Sequence, residues 1–139
     1  MRTAIDTNIL SALFSAEPLA REISSALEKA RAEGGLAISA PVYAELLAHP
    51  KATPDFIHDF LEFAGIVVDF DIDETVWREA ATRFARYAGR RRKSRDGPPK
   101  RLLADFIIGA HALLRTDRLM TLDAGRYRQD FPDLNMLLQ

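Results

Sequence analysis

The hydrophobic and polar positions of the chain form two kinds of pattern, which alternate from one end to the other. Short apolar runs predict strands, whereas apolar residues at three- and four-residue spacing predict helices. The predicted strands cover residues 2–5, 36–40, 66–70, 119–122 and 134–138. The predicted helices cover residues 7–14, 18–35, 41–49, 53–64, 74–92 and 100–115.

Several predicted boundaries coincide with residues that start or stop helices. Pro41 suits the first turn of a helix, and Asp73 suits an N-cap. Gly65 ends the helix before it. The sequence GPP at 97–99 breaks the chain before the last long helix.

The alternation of strands and helices indicates the fold class. Strands separated by helices favour parallel βαβ units, in which helices cover both faces of one sheet. We therefore predict an α/β fold with a central parallel sheet. The chain contains no internal repeat and no linker between two halves, and its 139 residues suit one domain over 1–139.

The composition excludes several classes of protein. The chain has no Cys, and therefore neither a disulfide framework nor a thiolate metal site. No apolar run approaches the roughly 18 residues of a membrane span, and the N-terminus does not have the pattern of a signal peptide. We therefore expect a cytoplasmic protein with no membrane association.

The charge of the chain is unevenly distributed. The stretch RRRKSRDGPPKR at 90–101 carries seven Lys and Arg residues against one Asp, so the rest has a net charge of -7 within the total of -1. Such a stretch suits a polyanion, but it equally suits a solvated helix end. The candidate phosphate contacts are Arg90, Arg91, Arg92, Lys93 and Arg95.

Four acidic residues are placed where the predicted sheet would bring them together. Asp6 and Asp123 follow predicted strands, Glu45 lies in the helix after the second strand, and Asp105 lies near the start of the last long helix. Sites in parallel sheets lie beyond the carboxyl ends of the strands. Four carboxylates there would repel one another unless a cation neutralised them. Oxygen ligands without Cys or clustered His favour Mg²⁺ or Mn²⁺.

Each of these carboxylates also has a purely structural explanation. Asp6 suits a helix N-cap, and Asp105 suits the first turn of a helix, where the dipole favours acids. Glu45 suits a solvated helix face, and Asp123 suits a turn. The prediction of a metal site therefore depends on the set of four and on its placement at strand ends.

Four stretches of the sequence resemble those of the PIN-domain ribonucleases, and in particular the VapC toxins of prokaryotic toxin–antitoxin pairs. The stretches are AIDTNIL, PVYAELL, LADFIIGAHAL and LMTLDAGRYRQDFP, in that order along nearly the whole chain. The resemblance implies a PIN-like three-layer α/β/α fold and a Mg²⁺- or Mn²⁺-dependent endoribonuclease. The acidic metal-binding residues that it implies are Asp6, Glu45, Asp105 and Asp123.

The resemblance also implies supporting residues and partners. Asn8 and Thr121 match polar positions that support the acidic site. The implied partners are an RNA substrate, a small cognate antitoxin and a second copy of the chain in a homodimer. The long basic stretch at 90–101 departs from the shorter or less charged connection of the family pattern and leaves the core chemistry in place.

Three other functions compete with a toxin nuclease. A non-catalytic RNA-binding module would use the basic stretch, although retention of all four acids argues against it. A PIN nuclease without an antitoxin would share the chemistry but need no partner. A receiver-like phosphate acceptor is disfavoured, because it would need a Lys after the strand at 119–122 and the last Lys is Lys100.

Overall fold

The computed structural model describes residues 1–97 and 101–137. Strands and helices alternate along these residues as the sequence predicts. The strands are β1 (Thr3–Ile5), β2 (Leu36–Ser39), β3 (Ile66–Asp69), β4 (Arg118–Met120) and β5 (Met136–Leu137). The helices are α1 (Thr7–Phe14), α2 (Ala20–Gly34), α3 (Ala40–Leu47), α4 (Pro54–Ala64), α5 (Glu74–Lys93), α6 (Leu103–Arg115) and α7 (Ala124–Arg128).

The strands form one parallel sheet in the order β3-β2-β1-β4-β5. From β1, the chain adds β2 and β3 on one side of the sheet and then β4 and β5 on the other side. The direction in which strands are added therefore reverses between β1 and β4. These two strands pair directly, with Ile5 opposite Met120 at their carboxyl ends. The α/β fold and the central parallel sheet are confirmed, and the reversal is where such sheets place their sites.

The core explains why short strands suffice to fix this sheet. All three residues of β1 are buried, as expected for a central strand covered on both faces. Helix α6 contributes a continuous buried stretch from Phe106 to Ala112. Within it, Gly109 leaves room for the buried ring of Phe131.

Most predicted boundaries agree with the structure to within two residues. The Asp73 side chain caps α5 by accepting from the Val76 N–H at 3.1 Å. Gly65 adopts the left-handed conformation (φ 70°) that ends α4. Within the described ranges, no helix combines the length and the apolar character needed to cross a membrane.

The last third of the chain differs most from the predictions. Helix α6 begins at Leu103 rather than at 100, and β4 ends two residues before the predicted end of its strand. A short helix, α7, follows Asp123 and was not predicted. The GPP break beyond Gly97, Lys100 at the predicted helix start and Leu138 at the predicted strand end lie outside the described residues.

Candidate metal centre

Asp6 lies directly after β1, where the chain turns into α1. Asp6 caps α1, because its Oδ1 accepts a hydrogen bond from the Thr7 N–H at 2.8 Å. Its Oδ2 accepts hydrogen bonds from the hydroxyls of Thr121 at 2.9 Å and Tyr127 at 3.0 Å. Burial raises the pKa of Asp6, and these hydrogen bonds oppose the rise. No Lys, Arg or His of the described ranges pairs with this carboxylate, so its charge lacks a cation.

Thr121 connects Asp6 to the loop that carries Asp123. Besides donating to Asp6, its Oγ1 accepts from the Asn8 Nδ2 at 3.3 Å and from the Asp123 N–H at 3.1 Å. The Oδ1 of Asn8 accepts from the Leu122 N–H at 3.1 Å. Asn8 and Thr121 therefore hold the chain between β4 and α7 against the start of α1.

Glu45 reaches the same edge of the sheet from α3. Its Oε1 accepts from the Thr7 hydroxyl at 2.7 Å, and Thr7 is the residue that follows Asp6. The structure thus brings Glu45 beside the first carboxylate of the set. Thr7 was missed in the sequence analysis, although its place between Asp6 and Asn8 could have singled it out.

Asp105 and Asp123 complete the set, and the guanidinium of Arg126 lies near both of these carboxylates. The Asp105 side chain is 14% exposed, and its charge contributes to the raised pKa of Asp6. Asp123 caps α7 by accepting from the Arg126 N–H at 3.2 Å. The guanidinium of Arg126 lies 3.5 Å from Asp105 through Nη1 and 3.2 Å from Asp123 through Nε.

The chemistry of these residues fits a hard divalent cation, although their spacing is open. Within residues 1–97 and 101–137, no three Asp, Glu or His side chains stand close enough to hold one ion. The donor set is nevertheless composed of carboxylates, and the buried Asp6 has no cationic partner. At the end of the neighbouring β2, the Ser39 Oγ is also buried and has no hydrogen-bond partner. Carboxylates are donors that Mg²⁺ and Mn²⁺ prefer, so the chemistry of this set, though not its spacing in this structure, suits either ion.

Ion pairs connect both ends of the basic stretch to residues near this centre. Asp130, whose side chain is 3% exposed, pairs with both Arg90 and Arg101. Arg101 lies over the Phe106 ring at 4.7 Å, and its Nε is 3.8 Å from Asp105. Arg90 therefore has a structural role in compensating a buried carboxylate.

The other candidates of the basic stretch lie at the end of α5. Arg91 pairs with the backbone carbonyl of Asp96, while Arg92, Lys93 and Arg95 are exposed. Cations in the last turn also suit the helix dipole. Arg90 is thus tied to the fold, whereas the exposed cations face solvent and stay candidates for phosphate contacts.

Comparison with known proteins agrees with the fold of this chain. The family model described as PIN domain matches residues 3–132. One chain of a toxin–antitoxin complex from Klebsiella pneumoniae is 25% identical, with 97% of this chain and 95% of that chain covered and a TM-score of 0.64. No curated protein matches the chain at a significant level.

Two further solved structures share the fold at lower identity. VapBC2 from Rickettsia felis, bound to a DNA fragment from its promoter, is 18% identical, with 99% of this chain and 98% of that chain covered and a TM-score of 0.66. FitAcB from Neisseria gonorrhoeae is 23% identical, with coverage of 97% and 96% and a TM-score of 0.65. The predicted three-layer arrangement is confirmed by this likeness over almost the whole chain.

Proposed function

The chain belongs to the PIN domain family of nucleases, and from this premise we propose that it is a cytoplasmic Mg²⁺- or Mn²⁺-dependent endoribonuclease that acts as the toxin of a toxin–antitoxin pair. The observation that carries the proposal is the hydrogen-bonded link from Asp6 through Thr121 to the backbone of Asp123. It ties two acidic strand-end positions into one unit. Structural roles alone would not require this link, since each Asp already caps its own helix.

In the proposed reaction, the protein holds and orients the carboxylates. A bound Mg²⁺ or Mn²⁺ would activate water and stabilise charge on the scissile phosphate. Asp6, Glu45, Asp105 and Asp123 are the candidate metal-binding residues. Thr121 and Tyr127 orient one oxygen of Asp6. No side-chain nucleophile is needed, because water attacks the phosphate.

The RNA substrate would lie along the carboxyl-terminal half of α5. Arg86, Arg92, Lys93 and Arg95 are exposed there and can meet phosphates, whereas Arg90 is engaged by Asp130. Through Asp130 and Arg101, this surface is connected to the surroundings of Asp105. A basic surface beside an acidic centre would attract the backbone and orient it toward the carboxylates.

A groove between α2 and α4 supports the proposed antitoxin. It has a volume of about 250 Å³, and its apolar lining includes Leu13, Leu27, Phe60 and Phe63. Phe63 is 85% exposed and borders the groove, so a partner that covered the groove would bury its apolar ring. An amphipathic segment of the antitoxin would bury this face. The Klebsiella pneumoniae relative is itself described as part of a toxin–antitoxin complex.

The proposed homodimer would use a different face. Strand β3 is the outer strand of the sheet on one side. Three apolar side chains are exposed by 45% or more on this side: Val67 on β3, Phe70 directly after β3 and Trp77 at the start of α5. Sedimentation velocity of the purified chain, with and without a Phe70→Asp substitution, tests this surface. We expect a dimer that the substitution dissociates.

Cleavage of a mixed RNA pool tests the enzymatic part of the proposal. The purified chain is expected to cut RNA with Mg²⁺ or Mn²⁺, to stop when EDTA is added, and to resume when Mn²⁺ is restored in excess. An electrophoretic shift of RNA without cleavage under all metal conditions would instead support a non-catalytic RNA-binding module.

Growth measurements test the toxin part separately. Expression of the chain alone is expected to arrest growth, and co-expression of the adjacent small reading frame is expected to restore it. A chain that cleaves RNA in vitro but remains harmless at high expression would be a PIN nuclease without an antitoxin.

A further inference from the structure

Arg126 stands between two carboxylates of the candidate metal centre. Its Nε lies 3.2 Å from Asp123 Oδ2, and its Nη1 lies 3.5 Å from Asp105 Oδ1. The first contact lies within one turn of α7, but the second joins residues that are 21 positions apart. An ordinary pair at the start of a helix would not reach the second carboxylate.

The guanidinium lies between Asp105 and Asp123, and a divalent cation bound to both carboxylates would occupy the same space. A planar fork with several N–H donors spans two carboxylates and reduces their mutual repulsion. A metal ion that drew Asp105 and Asp123 together would neutralise the same two charges. The two cations cannot both occupy the space between these carboxylates.

The neighbouring arginine differs from Arg126 in its freedom to move. Arg101 also approaches Asp105, but it is held by Asp130 and by the backbone carbonyl of Arg126, and its side chain is only 14% exposed. The Arg126 side chain is 43% exposed and has an open path to solvent. A cation that enters the centre can therefore displace Arg126 without breaking the buried network around Asp130.

We propose that Arg126 is an exchangeable internal counter-ion, which holds Asp105 and Asp123 in the metal-free chain and is displaced when a divalent cation binds. The inference rests on the proposed function, since it assigns the cation to the same carboxylates. Arg126 thereby sets the metal concentration at which the centre is loaded. It acts through these carboxylates and is a positioning residue.

Binding of Mn²⁺ in the absence of RNA tests the competition directly. The electron paramagnetic resonance signal of free Mn²⁺ gives the affinity for the wild-type chain, for Arg126→Gln and Arg126→Lys, and for Arg21→Gln as a control. Arg21 is an exposed residue of α2, so its replacement removes the same charge outside the centre. We expect Arg126→Gln to bind Mn²⁺ about twofold to fivefold more tightly, the range of a partly exposed ion pair. Arg126→Lys, which keeps the charge but loses the fork, should fall between.

Chemical modification tests the displacement in the wild-type chain. Phenylglyoxal reacts with accessible arginines, and mass spectrometry of the peptides reports each site. Mn²⁺ is expected to increase the modification of Arg126 several-fold and to leave that of Arg21 unchanged. This measurement needs no substitution, so it holds even if a variant at position 126 fails to fold.

The outcomes separate this inference from the proposed function. Failure of every protein, wild type included, to bind Mn²⁺ would overturn the metal centre together with the role of Arg126. Binding by the wild type that Arg126→Gln leaves unchanged or weakens would overturn only the role of Arg126. Protection of Arg126 from phenylglyoxal by Mn²⁺ would overturn it as well.

Discussion

The hydroxyl of Thr121 donates a 2.9 Å hydrogen bond to the carboxylate of Asp6 and joins two residues that are 115 positions apart. It connects the ends of β1 and β4, the two strands at the reversal of strand order. Because the same oxygen accepts from Asn8 and from the Asp123 N–H, one side chain sets the relative positions of the acidic residues around it.

Replacement of Thr121 by Val, which has nearly the same shape, tests this link. The change leaves Asp6 without one donor and the Asp123 N–H without its acceptor, at a cost of about 1–3 kcal/mol in the free energy of unfolding. We expect Thr121→Val to lose RNA cleavage and this stability, and Thr121→Ser to keep most of both. Urea unfolding and a cleavage assay provide the measurements. Equal activity of the Val and Ser variants would contradict the role of the hydroxyl.

Asp6→Asn and Asp105→Asn are expected to abolish RNA cleavage while the fold is retained. For Asp6→Asn, the Tm of the metal-free protein should be unchanged or higher, because the variant no longer buries a charge without a cationic partner. Circular dichroism melting and a cleavage assay measure the two effects. Asp55→Asn, at an exposed position of α4, is the control for loss of one carboxylate. Full metal-dependent activity of Asp6→Asn would refute the assignment of the site.

The stability of the fold should fall in mildly acidic solution because of His111. Burial lowers the pKa of this residue below its ordinary value of 6.5, and the hydrogen bond to Asp69 only partly opposes the shift. The unfolded chain therefore takes up the proton at a higher pH than the folded chain. This contribution to stability is complete above about pH 6.5 and is lost as the pH falls toward the folded pKa.

Urea unfolding between pH 8 and pH 5 measures this dependence. Asp6, whose pKa is raised, contributes with the opposite sign, because the folded chain binds its proton more readily than the unfolded chain. The comparison of wild type with His111→Gln isolates the histidine. We expect the free energy of unfolding to fall less at low pH in the variant than in the wild type. The same slope of this free energy against pH in both proteins would disprove the contribution of His111.

Two glycines in helices should respond oppositely to replacement by Ala. A Cβ at Gly109 would lie 2.6 Å from the buried Phe131 ring, so Gly109→Ala should lose about 1–3 kcal/mol. A Cβ at Gly89 would meet nothing closer than 4.0 Å, so Gly89→Ala should gain about 0.5–1 kcal/mol from helix propensity. Thermal unfolding of both variants checks the pair, and destabilisation of the same size at both positions would contradict the packing argument.

The basic end of α5 should account for part of the salt dependence of RNA binding. In an Asp6→Asn background, which prevents cutting, the Arg92→Ala/Lys93→Ala double variant should reduce the slope of log affinity against log salt by about 1.4, as expected for two contacts with single-stranded RNA. Binding should weaken alike for all sequences. Arg21→Ala/Lys29→Ala, on α2, is the control. An unchanged slope would indicate that these residues do not contact RNA and form a solvated surface.

The sequence predicts the parts of this molecule that depend on local pattern. Helix α1 has its predicted bounds because the apolar run and the capping Asp6 are adjacent in sequence. The gathering of four acids at one edge follows from a general property of parallel sheets and needs no side-chain detail. Family resemblance supplies the same four positions, so two independent arguments agree on them.

The remaining features depend on contacts between distant residues. Helix α7 has five residues, too few to show a helical period, so its Tyr127 was not seen as a partner of Asp6. Arg101 and Asp130 are 29 positions apart, and nothing local indicates that they pair. Only the aromatic residue four positions after Asp123 could have given a signal, as a buried position on a short helix.

The central place of β1 also determines when the centre can form during synthesis. This strand is made before β4, and its side toward β4 remains unpaired until β4 emerges from the ribosome. Thr121 and Asp123 follow β4, and Thr121 lies 115 positions after Asp6. A nascent chain therefore cannot assemble its four carboxylates before residue 123 has been made. In the proposed toxin–antitoxin pair, the antitoxin therefore meets a complete acidic centre only after β4 and the residues that follow it have left the ribosome.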